Sequence, residues 1–128
     1  MESRFLSRKL LDLFLAPANV GTANPCHATG QAANPACNDV TVITLAIKNG
    51  RIAQARFQTQ GCAVAVAGAC ATTLLSEGRT LDEARRITTA DVVLSLDGVP
   101  DAKLACASTG PLALAKALRS LGPDGGTP

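Results

Sequence analysis

Cys37, Asp39, Cys62 and Cys106 are the residues of this chain whose types could do chemistry together. A thiolate is both a soft metal ligand and a nucleophile, and a carboxylate adds one hard oxygen. Three thiolates with one carboxylate suit a tetrahedral, sulfur-rich site of the kind that holds zinc or the irons of an iron–sulfur cluster. Iron holds an Asp oxygen more weakly than a fourth thiolate, which fits a site that must release what it binds. Two other cysteines complete the five. Cys26 stands beside His27, the only histidine, in a loop that a sheet edge could carry toward the site. Cys70 lies among Val66, Ala69 and Ala71 and reads as a small packed hydrophobe. The spacing contains no Cys-x-x-Cys pair and matches no small secreted disulfide scaffold. Metal binding, catalysis or plain burial in a reducing compartment is expected instead.

The elements that must position these groups begin with a β-hairpin. Val40 to Ile47 and Ile52 to Gln60 are strand-like runs on either side of Asn49-Gly50, a strong turn signal. A two-residue loop would mix apolar and polar residues on one face. A three-residue loop over 48–50 pairs Ile47 with Arg51, Leu45 with Ala53, Ile43 with Ala55 and Thr41 with Phe57. The expected register is therefore the second, which places Cys37 opposite Gly61 and beside Cys62, with Asp39 on the same face as Cys37. Residues 3–15 read as an amphipathic helix stopped by Pro17, and 18–36 as a loop or short edge strand. A helix beginning at about Cys62 runs to Glu77 and stops at Gly78. Thr80 and Glu83 form a capping box for a short helix through Ile87. Thr88 or Thr89 caps another over 91–96, and Ser108 is a plausible cap of the last. Cys62 and Cys106 would then lie at or just before helix N-termini, where a thiolate is stabilised. Cys106 joins the others if the last helix packs on the apolar face of the hairpin. Strands first and helices after give an α+β fold, a small antiparallel sheet of about three strands with helices on one face.

Composition narrows the function. The 128 residues suit one domain, expected over 1–121 with a flexible tail over 122–128. With no Trp, no Tyr, three Phe and a net charge of only +2, a base-stacking nucleic-acid surface is not expected. The apolar runs are too short to cross a bilayer, and the charged N-terminal stretch does not read as a signal peptide, so no membrane partner and a cytoplasmic location are expected.

On these residues the chain resembles the U-type iron–sulfur cluster scaffold family, which comprises IscU, the N-terminal domain of NifU and SufU. The stretch 12–21 is similar to the family's opening motif, and Pro35-Ala36-Cys37-Asn38-Asp39 to its Pro-x-Cys-Gly-Asp. Residues 55–65, centred on Gly61-Cys62, resemble its second cysteine motif. Residues 78–84 resemble its Gly-Lys-Ser-Leu-Asp-Glu-Ala, and residues 96–106 its last cysteine motif. The resemblance implies a SufE/NifU-like fold and a [2Fe–2S] cluster built on Cys37, Asp39, Cys62 and Cys106, with Zn²⁺ in the cluster-free form. It also implies a persulfide accepted on Cys106, with Lys103 as an auxiliary charge. The implied partners are a cysteine desulfurase, recipient apo iron–sulfur proteins, and frataxin-like or Hsp70-type factors. It implies a scaffold rather than a turnover enzyme; the alternatives are a SufU-like zinc-dependent sulfurtransferase and a member whose thiols are only structural. Three departures stand out. Asn38 replaces the family's Gly, Ala105 replaces the His before the last cysteine, and Val99 to Lys103 degrade the chaperone-recognition run. His27 or Cys26 is the expected substitute for the missing ligand.

Overall fold

The structure, a computed structural model, describes residues 6–36 and 38–121. Cys37, residues 1–5 and the expected tail over 122–128 lie outside the described residues. The order is helix α1 (Arg8–Leu15), strands β1 (Ala28–Asn34), β2 (Asp39–Lys48) and β3 (Arg51–Gln60), then helices α2 (Ala63–Ser76), α3 (Leu81–Arg85), α4 (Thr89–Ser95), α5 (Leu104–Ala107) and α6 (Thr109–Arg119). A 3₁₀ turn, Asp101–Lys103, precedes α5. The sheet is antiparallel in the order β1-β2-β3. α6 packs on β1 and β2, and α2 on β3, so the helices cover one face and the expected α+β architecture is what the chain adopts.

The hairpin register differs from the expected one. Asn49 and Gly50 both have positive φ (55° and 74°), the conformation of a two-residue hairpin turn. Lys48 therefore pairs with Arg51 and Ile47 with Ile52. A bulge then moves the ladder by one, so that Ala46 pairs with Gln54, Leu45 with Ala55, Ile43 with Phe57 and Thr41 with Thr59. The extra residue restores the apolar face that an unbulged two-residue loop would have scrambled. The bulge sits within the strand rather than in the loop, and Ile43, Leu45, Ala55 and Phe57 are buried on the helix side as the pattern requires.

α2 is the central helix. It is apolar on nearly every side, and α1, α4, α5, α6 and β3 all pack on it. Its buried hydroxyls are satisfied by its own carbonyls: Thr72 Oγ1 donates to Gly68 O (2.7 Å) and Thr73 Oγ1 to Cys70 O (2.7 Å). With few aromatics, the layers close by small residues meeting backbone to backbone. At Gly30 a Cβ would overlap the carbonyl of Ala113 and the N–H of Ala117, so only glycine lets α6 lie directly on β1.

The outer edge of β3 is blocked along most of its length, which suppresses pairing with other chains. Asn19 and Gly21 exchange backbone bonds with Phe57, and Arg79 and Gly78 with Ile52. Glu77 accepts from Ala55 N–H (3.0 Å) and pairs with Arg56 (2.6 Å). The helix limits shift slightly from expectation. Ser7 caps α1 through Leu10 N–H, so that helix starts at Arg8 rather than at residue 3. α3 ends at Arg85 rather than Ile87. α4 starts at Thr89 because Thr88 and Asp91 form a second capping box.

Candidate metal centre

The site lies at one end of the sheet, opposite the hairpin turn. Asp39 opens β2, and Asn34, the last residue of β1, is its cross-strand partner. Asn38 has φ 57°, a left-handed conformation that Asn tolerates, so it replaces the glycine of the related motif without breaking the turn. Gly61 lies against the Asp39 side chain, where a Cβ would overlap Asp39 Oδ1. Cys62 is the N-cap of α2 in extended conformation, and its N–H donates to Asp39 Oδ1 (3.2 Å). The positive end of α2 thus faces the carboxylate and the Cys62 thiol together.

Cys106 arrives from the helix layer. It sits inside α5 and is 1% exposed. Ser108 keeps the right-handed helical conformation and turns its hydroxyl back to Ala105 O (2.6 Å), so α5 runs almost continuously into α6. The expectation that Ser108 caps α6 and leaves Cys106 before an open helix N-terminus is corrected by this: the turn between the two helices stays helical. Three threonines anchor Cys106 from below. Thr109 Oγ1 donates to Cys106 O (3.2 Å) and Thr41 Oγ1 to Thr109 Oγ1 (3.0 Å). Each hydroxyl has one proton, so Thr59 must donate to Thr41 across the sheet (3.1 Å).

One ligand atom each from Asp39, Cys62 and Cys106 lie within 4.8 Å of one another, a spacing at which one ion can touch all three. Asp39 is fully buried, and its Oδ2 has no hydrogen-bond partner among the described residues. A buried carboxylate oxygen without a donor is expensive unless a cation completes it. The donor set and this oxygen fit a thiophilic ion. Cys37, the fourth expected ligand, lies outside the described residues.

The remaining candidates lie elsewhere. His27 precedes β1, at the hairpin-turn end of the sheet, where its Nδ1 accepts from Ile47 N–H (2.8 Å). The length of β1, at roughly 3.3 Å per residue, separates it from the site by about 20 Å. Cys26 is beside it, exposed, with its sulfur near Thr29 Oγ1 (3.3 Å). Neither stands in for the absent histidine at Ala105, because β1 runs away from the site toward them. Cys70 is buried in α2 as expected. Desolvation raises its pKa, opposed by a contact from its sulfur to Ala18 O (3.5 Å). Lys103 is exposed at the end of the 3₁₀ turn, three residues before Cys106. Sequence reasoning missed Asn34, a buried amide whose Nδ2 lies 3.9 Å from Cys106 Sγ. The available signal was its place in β1, since alternation puts it on the inward face with Ala28 and Ala32.

The profile of the NifU-like N terminal domain matches residues 6–121. An iron–sulfur cluster assembly scaffold protein named IscU 1, from Archaeoglobus fulgidus, is 37% identical over 112 residues, covering 88% of this chain and 73% of that one. A scaffold protein IscU from Aquifex aeolicus is 35% identical over 106 residues, covering 81% and 68%. In three dimensions the fold is similar to the crystal structure of a NifU-like N-terminal protein from Brucella abortus. The TM-score is 0.73 at 17% identity, covering 89% of this chain and 92% of that one.

Proposed function

Because the chain belongs to the NifU-like N-terminal domain family, we propose that it is an iron–sulfur cluster assembly scaffold. In this reading it builds a [2Fe–2S] cluster on Cys37, Asp39, Cys62 and Cys106 and passes it to apo-proteins. The observation that carries the reading is the convergence of Asp39, Cys62 and Cys106, with an Asp39 oxygen among them that meets no donor among the described residues. Sulfur comes from a cysteine desulfurase. A thiolate of the scaffold attacks the outer sulfur of the donor persulfide, the donor S–S bond breaks, and the donor leaves as a thiolate; an external electron donor then supplies two electrons per sulfur, which releases it as sulfide to iron and returns the scaffold thiolate. Cys106 is the acceptor, directly or by way of Cys62, which is the less buried of the two and whose sulfur is close enough to hand the outer sulfur on. Lys103 adds positive charge near an anionic cluster. Zn²⁺ fills the same ligands when no cluster is present.

A second reading, a zinc-dependent sulfur acceptor, is favoured by one feature: no histidine lies within reach of the cluster of ligands among the described residues. Anaerobic reconstitution with ferrous iron, L-cysteine and a dithiol reductant, using a cysteine desulfurase, separates the two. The scaffold reading predicts visible absorption of a [2Fe–2S] cluster at about one per chain or per dimer, and its transfer to an apo-ferredoxin. Tight zinc binding with stimulation of the desulfurase and no cluster would replace it by the second reading.

A further inference from the structure

We propose that Asn34 is a positioning residue for Cys106, holding its sulfur with a side-chain N–H and drawing electron density from it. This rests on the reading of Cys106 as a ligand. Asn34 is 8% exposed, and its Nδ2 points at Cys106 Sγ at 3.9 Å. The orientation of the amide is fixed by chemistry. Ala36 N–H needs an acceptor and finds Asn34 Oδ1 at 3.2 Å, so the NH₂ group must face the sulfur. The backbone of Asn34 is held by pairing with Asp39, so the donor is anchored to the strand that carries another ligand.

The contact joins the two layers that must meet to make the site, since Asn34 belongs to the sheet and Cys106 to the helices. Asn34 is neutral and does not titrate, so it offers a fixed donor where a histidine would offer a ligand. A hydrogen bond to a ligating sulfur lowers its electron donation to the metal and raises the potential of a bound cluster. The sulfur of Cys106 is then less electron-rich than it would be without that donor.

Cobalt(II) replaces zinc in thiolate sites and reports sulfur donation through its sulfur-to-metal charge-transfer band. The test compares Co²⁺ loading of the wild-type chain, Asn34→Asp and Asn34→Ala. Asn34→Asp keeps the acceptor for Ala36 N–H and removes the donor but adds a negative charge, so a shift supports the role only where the uncharged Asn34→Ala shifts the same way, and an unshifted Asn34→Asp overturns it even if Asn34→Ala fails to fold. The expected result is a shift of the band to longer wavelength in both variants, with circular dichroism unchanged for Asn34→Asp. Reconstituted cluster in Asn34→Asp is expected to reduce at a more negative potential than in the wild type. A band and potential that stay at their wild-type positions would overturn the role of Asn34 while leaving the site intact. A wild-type chain without any thiolate-to-cobalt band would overturn both this role and the metal-centre reading.

Discussion

At Asp39 the fold buries a carboxylate, and the described residues satisfy one of its oxygens. Oδ1 accepts from Cys62 N–H, and Oδ2 meets no donor among the described residues. Such a group works against stability until a cation arrives, which is how a loading site differs from a structural one. Asp39→Asn keeps an acceptor for Cys62 N–H and removes the charge. In the presence of a chelator the variant should be more stable to urea by about 1–2 kcal/mol. The extra stability that Zn²⁺ gives the wild type should shrink in parallel. A variant less stable than wild type without metal would show that the carboxylate serves chiefly as a cap for Cys62. Asp39 and Cys62 were legible in the sequence because a hairpin and a helix start bracket them. His27 misled because it is the lone histidine. Its Nδ1 is committed to Ile47 N–H, a backbone contact that no side-chain pattern reveals.

Among the elements, the approach of α6 to β1 decides where Cys106 ends up. Gly30 and the small residues Ala113 and Ala117 set that approach, because a Cβ at position 30 would enter the helix backbone. Gly30→Ala should destabilise the fold by about 3 kcal/mol, the upper range for overpacking, and weaken Zn²⁺ binding as α6 and α5 shift together. Urea unfolding and a zinc-competition titration check this; a loss under about 1 kcal/mol with unchanged zinc binding would contradict it. Element types were readable from alternation, from the Asn49-Gly50 turn and from Thr80 with Glu83. The register was not. A loop of three residues and a loop of two with a later bulge agree on β2 and on Ala55 and Phe57, and differ next to the turn, where Ile52 rather than Ala53 is buried. Both place Ile43 and Leu45 inward, and the backbone choice at Asn49 and Gly50 separates them. The last helix was misread for a related reason. Ser108 looks like a cap, yet its hydroxyl satisfies Ala105 O and the chain stays helical through it.

Across the whole molecule, one central helix lets distant stretches of sequence converge. α2 carries Cys62 at its start, packs on β3 through its body and receives α5 and α6 on another side, so the thiols of positions 62 and 106 meet the carboxylate of position 39. No helix among the described residues is long and apolar enough to cross a membrane. The outer edge of β3 is blocked by backbone bonds from Asn19 and Arg79 and by the Glu77 carboxylate. The most direct measurement is zinc K-edge X-ray absorption on the chain loaded with one equivalent of Zn²⁺, compared with Cys106→Ser. The gathered site predicts a four-coordinate shell dominated by sulfur at about 2.3 Å with one shorter oxygen, and one sulfur fewer in the variant. A shell of oxygen and nitrogen alone, or a sulfur count that does not change in Cys106→Ser, would contradict it.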